Sequence, residues 1–118
     1  MSDEIIQKIA DFGKEITRLI TIAPEKAKIE HLKTLRKAGI KINMGHSNAT
    51  YDECEEKKEY YDGATHLYNA MSPLESRNPG VVGFLFNDDK LSAGIIVDGL
   101  HSKFCAVEIA KKIMKERL

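Results

Sequence analysis

The sequence contains no tryptophan, only two cysteines and three prolines, and no excess of charge of either sign. Because 18 basic residues balance 18 acidic ones, the chain lacks the electrostatic footprint of a protein that binds nucleic acid or an anionic membrane. Its longest apolar run has six residues, Val81 to Phe86 with Gly83 inside it, whereas a membrane span needs about 20. We therefore expect neither a nucleic acid nor a membrane as a partner.

The two cysteines, Cys54 and Cys105, are isolated, and no CxxC pair occurs. This spacing argues against a zinc knuckle and against a disulfide framework, and it fits a reducing compartment. The first residues, Met-Ser-Asp-Glu, lack the basic and then apolar layout of a signal peptide. We expect a single domain over residues 1–118 and a cytoplasmic location.

Residues 1–20 show the spacing of an amphipathic leading helix, with apolar side chains at intervals of four and three residues and charged side chains between them. The apolar stripe comprises Ile5, Ile9, Phe12, Ile16 and Leu19. Two interpretations are open, a short dimer helix or a helix that packs on a sheet, and the short length of the stripe favours the second.

Four short apolar runs predict strands, and helical patterns separate them. We expect the strands at residues 20–23, 40–44, 64–68 and 91–98. Helices that alternate with short apolar strands predict right-handed crossovers and a parallel sheet, so the expected fold is α/β with the order α-β-α-β-α-β-α-β-α.

Local signals indicate where the helices begin and end. Gly39 is typical of the left-handed residue that follows a helix, and Thr50 with Glu53 forms a capping-box pattern. Asn78 followed by Pro79 predicts a short helix through Val82, with Asn78 as its cap. The last helix, from about residue 103, is expected to bury the apolar side chains of Ala106, Ile109, Ala110 and Ile113.

Three of the four histidines follow predicted strands: His46 the second, His66 the third and His101 the fourth. The carboxyl ends of parallel strands lie at one edge of a sheet, so we expect these side chains to converge there. Neutral imidazoles from adjacent strands suit a divalent transition metal, although each histidine also has an ordinary structural interpretation. His31 lies mid-helix and is expected to be solvated or half-buried.

The loop after the third strand offers groups that could hold an anion. Arg77 precedes the helix start at Asn78-Pro79-Gly80, and a guanidinium beside free backbone N–H groups suits a phosphate. Asn69 and Ala70 could offer an amide and a backbone N–H to a polar substrate. The non-functional interpretations stay open: Arg77 is then an exposed arginine without a ligand, and Asn69 and Ala70 are ordinary turn residues. Asp98-Gly99 is likewise either a strand-end carboxylate or a turn.

Four ordered blocks of the sequence resemble the N-acetylglucosamine-6-phosphate deacetylase family. The blocks are GHSNAT at 45–50, GATHLYNAM at 63–71, PGVVG at 79–83 and AGIIVDGLH at 93–101. Ala23-Pro24-Glu25 looks like a strand end of that family as well, so the resemblance covers the chain from residue 21 onward. The order and spacing of the four blocks make the match far more specific than any single block.

The resemblance implies a fold class and a metal. The family has an amidohydrolase-type (β/α)8 barrel of the TIM type, with a divalent metal at the carboxyl-end rim. We therefore expect a parallel-sheet segment of such a barrel, with about four βα units. His46 and His66 match the two metal-binding histidines, and zinc is the expected metal, with iron or another transition metal as an alternative.

The resemblance also implies a phosphate site. Asn69 and Ala70 match the family's pair that contacts the sugar phosphate, and Arg77 and His101 match its basic residues on the phosphate side. In the family one of these basic groups comes from the neighbouring subunit of a dimer, so we expect a homo-oligomer. The implied substrate is N-acetylglucosamine 6-phosphate, which is hydrolysed to glucosamine 6-phosphate and acetate.

Two parts of the family's site have no counterpart in residues 1–118. These are the acidic metal ligand and the aspartate that acts as general base; Asp98 matches a different position. We therefore expect this chain to be inactive by itself. Two alternatives stay open, a module that binds a sugar phosphate without chemistry and a structural module that donates strands to another chain.

Overall fold

The computed structural model describes all residues from 1 to 118. Five helices and four strands alternate along the chain: α1 (Asp3–Ile16), β1 (Leu19–Thr21), α2 (Ile29–Lys37), β2 (Lys41–Met44), α3 (Tyr51–Lys57), β3 (Gly63–Ala64), α4 (Gly80–Asn87), β4 (Ser92–Ala93) and α5 (Phe104–Met114). Single turns of 3-10 helix occur at Pro24–Lys26, Lys58–Tyr60 and Lys115–Arg117. This order confirms the predicted alternation.

The four strands form one parallel sheet in the order β1-β2-β3-β4. Ile20 lies opposite Ile42, Met44 opposite Ala64, and Ala64 opposite Ala93. A sheet whose neighbours are consecutive in sequence is the arrangement of successive βα units in a (β/α)8 barrel, so the predicted fold class is confirmed. None of the helices has the length and apolar character needed to span a bilayer.

The leading helix differs from its prediction in length and in its buried face. Gly13, with φ 62°, interrupts its helical backbone, the helix ends at Ile16 where Thr17 becomes extended, and Leu19 already belongs to β1. Ile6 is the buried residue of α1, whereas Ile5 and Phe12 of the predicted stripe are more than half exposed. α1 packs on α2 rather than on the sheet, so the stripe did not identify its buried face.

The last two strands are shorter than predicted. β3 ends at Ala64 because His66 and Tyr68 have positive φ values, which cannot continue an extended strand. β4 covers only Ser92–Ala93 and has β3 as its single neighbour. Gly94 still bonds to the β3 side, through Ala64 and Leu67, but residues 95–98 belong to no strand, and Val97 is 58% exposed. The predicted fourth strand at 91–98 is therefore wrong beyond residue 93.

The predicted helix ends are partly correct. Gly39 follows α2 with φ 81°, and the capping box between Thr50 and Glu53 is present. α4 runs from Gly80 to Asn87, longer than expected, and its cap is the Ser72 hydroxyl, which accepts a hydrogen bond from the backbone N–H of Val81 at 2.9 Å. The predicted capping by Asn78 is wrong.

The core consists of apolar side chains between the sheet and its helices, including Leu32, Ile42 and Phe84, all fully buried. α5 contributes Ala110 and Met114 to the core, whereas Ile109 and Ile113 of its predicted face are about half exposed. The actual contact face of α5 is rotated from the predicted one.

His31 is buried rather than solvated. Its side chain lies between α1 and α2, with Nε2 2.5 Å from the Asp3 carboxylate.

Asp62 joins the starts of β2 and β3. Its carboxylate accepts hydrogen bonds from the backbone N–H of Ile42 at 2.9 Å, from Arg36 at 3.0 Å and from Lys41 at 3.1 Å. Burial alone would raise the pKa of Asp62, but the Ile42 N–H and the charges of Lys41 and Arg36 outweigh it and hold the pKa below its usual value.

Replacing Asp62 with asparagine is expected to lower the free energy of unfolding by about 2 kcal/mol at neutral pH, because three donors lose a charged acceptor. A carboxyl group whose pKa is lower in the folded state stabilises the fold above its unfolded pKa of about 4, and the contribution disappears as the pH falls through the folded value. Urea denaturation at pH 7 and at low pH measures this. Two results would contradict this role of the Asp62 carboxylate: a loss of unfolding free energy in Asp62→Asn that persists in strong acid, or one no larger than in the exposed control Asp89→Asn.

Candidate functional site

His46 and His66 meet at the carboxyl ends of β2 and β3, as the sequence predicts. The Nε2 atoms of the two imidazoles are 2.9 Å apart, and the ring centroids are 4.7 Å apart with an angle of 76° between the planes. Met44 at the end of β2 and Ala64 at the end of β3 are register partners, which places the two following loops side by side. The sheet register therefore produces the histidine pair.

Both histidines have a strained backbone. φ is 48° at His46 and 40° at His66, in the left-handed region that side-chain-bearing residues rarely occupy. Two further positive φ values, at Tyr68 and Ala70, lie in the same short segment. Such strain costs about 1–3 kcal/mol per residue and concentrates at functional sites, where surrounding contacts maintain it. Four of the chain's five positive φ values at residues other than glycine therefore lie in the two loops that carry the histidine pair.

The geometry of the pair fits a shared metal ion. The two Nε2 atoms are within hydrogen-bond distance of each other at 2.9 Å, and as ligands of one tetrahedral zinc ion, each about 2.0–2.1 Å from it, they would lie slightly further apart, at about 3.3 Å. Nδ1 of His66 is buried and has no hydrogen-bond partner. No cluster of three or more His, Cys, Asp or Glu side chains that could hold a metal ion occurs in the chain, so the pair alone would offer a metal two ligands.

Cys54 is unsuited to a role as a nucleophile or a metal ligand. Cys54 is fully buried in α3, and burial, with a smaller contribution from the charges of Glu25 and Glu53, raises the pKa of its thiol to about 12. Such a thiol stays protonated and is a poor nucleophile or metal ligand at neutral pH.

His101 does not hydrogen-bond to the histidine pair. Its Nδ1 lies 2.6 Å from Oδ2 of Asp98, and Oδ1 of Asp98 accepts hydrogen bonds from the backbone N–H groups of Leu100 and His101, both at 2.8 Å. The hydrogen bonds from His101, and then that from Leu100, lower the pKa of Asp98 to about 2. Asp98 therefore stays ionised and orients the His101 ring, leaving Nε2 available to a ligand.

Asn69 and Ala70 lie beside the histidine pair on the loop after β3. The side-chain nitrogen of Asn69 is 3.4 Å from both the Ser102 hydroxyl and the Leu67 carbonyl oxygen, which leaves it weakly held. The N–H of Ala70 donates to no protein group, whereas its carbonyl oxygen accepts from Ser47 N–H at 2.9 Å. These two donors are available to an anionic ligand.

Arg77 is exposed and forms no hydrogen bond or ion pair within the chain. It lines an open cavity of about 580 Å³ between the loop after β3 and the start of α3. At the start of α4, where the sequence predicts a phosphate site, two of the first three backbone N–H groups already have acceptors. Val81 N–H donates to the Ser72 hydroxyl and Val82 N–H to the Ser72 carbonyl oxygen, whereas the N–H of Gly80, the first residue of α4, donates to no group of the chain. The Arg77 guanidinium and the N–H of Gly80 are left for an anion there.

The sequence did not predict two residues that lie beside the histidine pair, Glu25 and Ser47. The carboxylate of Glu25, just past β1, accepts hydrogen bonds from the Ser47 hydroxyl at 2.7 Å and from the Asn48 N–H at 2.8 Å. Glu25 falls in the Ala-Pro-Glu segment at a strand end, and that position was the only available signal.

Known proteins with similar sequences and structures identify the segment. An N-acetylglucosamine-6-phosphate deacetylase of Haemophilus influenzae is 44% identical over 98% of this chain, and the human enzyme of the same name is 35% identical over 94%. The crystal structure of N-acetylglucosamine-6-phosphate deacetylase from Pasteurella multocida covers the whole chain with a TM-score of 0.92 at 37% identity. This chain is homologous to a segment of N-acetylglucosamine-6-phosphate deacetylases.

The match to these deacetylases is partial on their side. The chain spans about a third of their length, 31% of the Haemophilus protein and 31% of the Pasteurella chain. No protein-family model matches the sequence. A mutant N-acetyl-D-glucosamine-6-phosphate deacetylase from Mycobacterium smegmatis, solved in complex with N-acetyl-D-glucosamine-6-phosphate, covers 97% of the chain with a TM-score of 0.88 at 30% identity.

Proposed function

We propose that this chain provides the histidine pair and part of the phosphate site of a metal-dependent deacetylase that acts on N-acetylglucosamine 6-phosphate. The observation that carries the proposal is the convergence of Nε2 of His46 and Nε2 of His66 at 2.9 Å, within a segment homologous to these enzymes. A homodimer and a cytoplasmic location, both expected from the sequence, belong to the same proposal.

In this proposal His46 and His66 hold a divalent metal, zinc in the first instance, through neutral Nε2 atoms. A metal held there would polarise the amide carbonyl and lower the pKa of water at the site. The chain's other residues bind and orient the remote end of the substrate. The donors of Asn69 and Ala70 contact the phosphate, and His101, held by Asp98, places a ring nitrogen toward it. Holding the phosphate fixes the position of the acetamide for hydrolysis.

Arg77 completes the phosphate site, either in this chain or in the partner of a dimer. Because the Arg77 side chain is free of internal bonds, binding a phosphate costs it no existing interaction. The residues that would complete the metal site and act as general base are not among the clustered donors of this chain, so we propose that the 118-residue polypeptide by itself does not turn over substrate.

A second substrate follows from one of the relatives. An N-acetylgalactosamine-6-phosphate deacetylase of a Shewanella strain is 47% identical over 71% of the chain. That amino sugar differs from the glucose-derived one in the orientation of a single hydroxyl group, and none of the proposed phosphate or metal contacts distinguishes the two.

Isothermal titration of the zinc-loaded chain with phosphorylated and unphosphorylated N-acetylglucosamine tests the phosphate site. The phosphorylated sugar is expected to bind about 10–100-fold more tightly, because hydrogen bonds to a charged group contribute about 1.5–3 kcal/mol. Arg77→Ala should reduce that preference, whereas the exposed control Arg18→Ala should not. Released amine, assayed in the same samples, should stay at background.

Equal affinity for the two sugars, or release of glucosamine 6-phosphate at ordinary enzymatic rates, would contradict the proposal. A parallel titration with N-acetylgalactosamine 6-phosphate assigns the preferred substrate: tighter binding of that sugar would favour the second candidate.

A further inference from the structure

The loop that carries His46 is fastened on both sides to neighbouring strand ends. On the β3 side, Ser47 N–H donates to the Ala70 carbonyl oxygen at 2.9 Å, and Ser72 N–H donates to the Ser47 carbonyl oxygen at 3.0 Å. On the β1 side, both oxygens of Glu25 accept hydrogen bonds, from the Ser47 hydroxyl and from the Asn48 N–H. Glu25 is the only side chain that ties this loop to β1.

Glu25 is itself held in place. It lies in the single 3-10 turn Pro24–Lys26, and the ammonium group of Lys57 in α3 donates to the carbonyl oxygens of Pro24 at 2.7 Å and Ala27 at 2.9 Å, on either side of Glu25. The acceptor therefore has a fixed position.

The polar groups of Ser47 are all used. Its hydroxyl donates to Glu25 and accepts from Ala49 N–H at 3.1 Å, and the side chain is buried. The neighbouring His46 has the unfavourable φ of 48°, which persists only while adjacent contacts fix the loop. Removing the Glu25 contacts would leave the residues immediately after His46 held from the β3 side only.

We propose that Glu25 is a positioning residue, which holds His46 in its strained conformation through Ser47 and Asn48 and so keeps its Nε2 opposite that of His66. The carboxylate acts through its hydrogen bonds to Ser47 and Asn48. The proposal rests on the proposed function in one respect, because metal affinity is one of its two readouts. The other readout is the contact between the two imidazole rings, which requires no metal.

The test compares Glu25→Gln with the unsubstituted chain and with Glu56→Gln, an exposed glutamate without hydrogen bonds in α3. Glutamine keeps the size of the side chain, but its amide NH₂ group would face either the Ser47 hydroxyl or the Asn48 N–H, which are both donors to Glu25, so one of the two hydrogen bonds would be lost. In the metal-free protein, Glu25→Gln is expected to lose the nuclear Overhauser effect between the His46 and His66 rings. The effect between Tyr51 and Phe84, whose rings are 5.6 Å apart in the core, should remain. Zinc affinity should fall about 10–100-fold, as for other groups that orient metal ligands.

An unchanged ring contact and unchanged zinc affinity in Glu25→Gln would overturn the inference. Absence of the ring contact in the unsubstituted chain would overturn both the inference and the proposed site. The two proposals can also be separated. If Glu25→Gln loses the ring contact but the unsubstituted chain binds no zinc, the role of Glu25 is upheld and the metal proposal is refuted. Should Glu25→Gln unfold, Ser47→Ala provides the same comparison. Loss of the Tyr51–Phe84 contact in both variants would make the role a general structural one and overturn the proposal.

Discussion

Replacing Phe84 with alanine is expected to lower the free energy of unfolding by about 4 kcal/mol. Phe84 is fully buried on α4, and its ring packs edge-to-face against Tyr51 of α3 at 5.6 Å. The loss combines the transfer free energy of the ring with the cavity left behind. Since single domains are stable by only about 5–15 kcal/mol, this one change removes a large part of the total.

Urea denaturation followed by circular dichroism measures the effect. Phe104→Ala is the matched control, because Phe104 is 61% exposed at the start of α5 and its replacement should change the free energy by less than about 0.5 kcal/mol. Similar midpoints for the two variants would mean that α4 does not pack as described.

The sequence predicted the architecture well because strand spacing and helix signals are local. The capping box at Thr50 and the stop at Gly39 depend on a few adjacent residues, and both occur. Buried faces were predicted less well. The spacing of Ile5 and Phe12 is helical, but which side of α1 is covered depends on α2, a partner that periodicity does not specify.

The candidate site shows the same division. That His46 and His66 come together follows from parallel topology, which places successive strand ends at one edge. The irregular backbone between His66 and Ala70 was not predictable, because residues other than glycine rarely have positive φ and the sequence there continues an apolar strand pattern. The contacts of Glu25 were not predictable either, because its strand-end position does not say which groups 22 residues further along the chain it meets.

Replacing either His46 or His66 with alanine is expected to lower the zinc affinity of the chain by about 100-fold or more. The expectation follows from the 2.9 Å approach of the two Nε2 atoms, since removing one leaves a single nitrogen ligand. Loss of a group that merely orients a ligand already costs about 10–100-fold. His101→Ala is the control, because His101 bonds to Asp98 and not to the pair.

Equilibrium dialysis of the chain against zinc, followed by metal analysis, tests the central claim most directly. The account predicts one zinc ion per unsubstituted chain and per His101→Ala chain, and none in the double variant His46→Ala/His66→Ala under the same conditions. Equal zinc content in the unsubstituted chain and the double variant would contradict it.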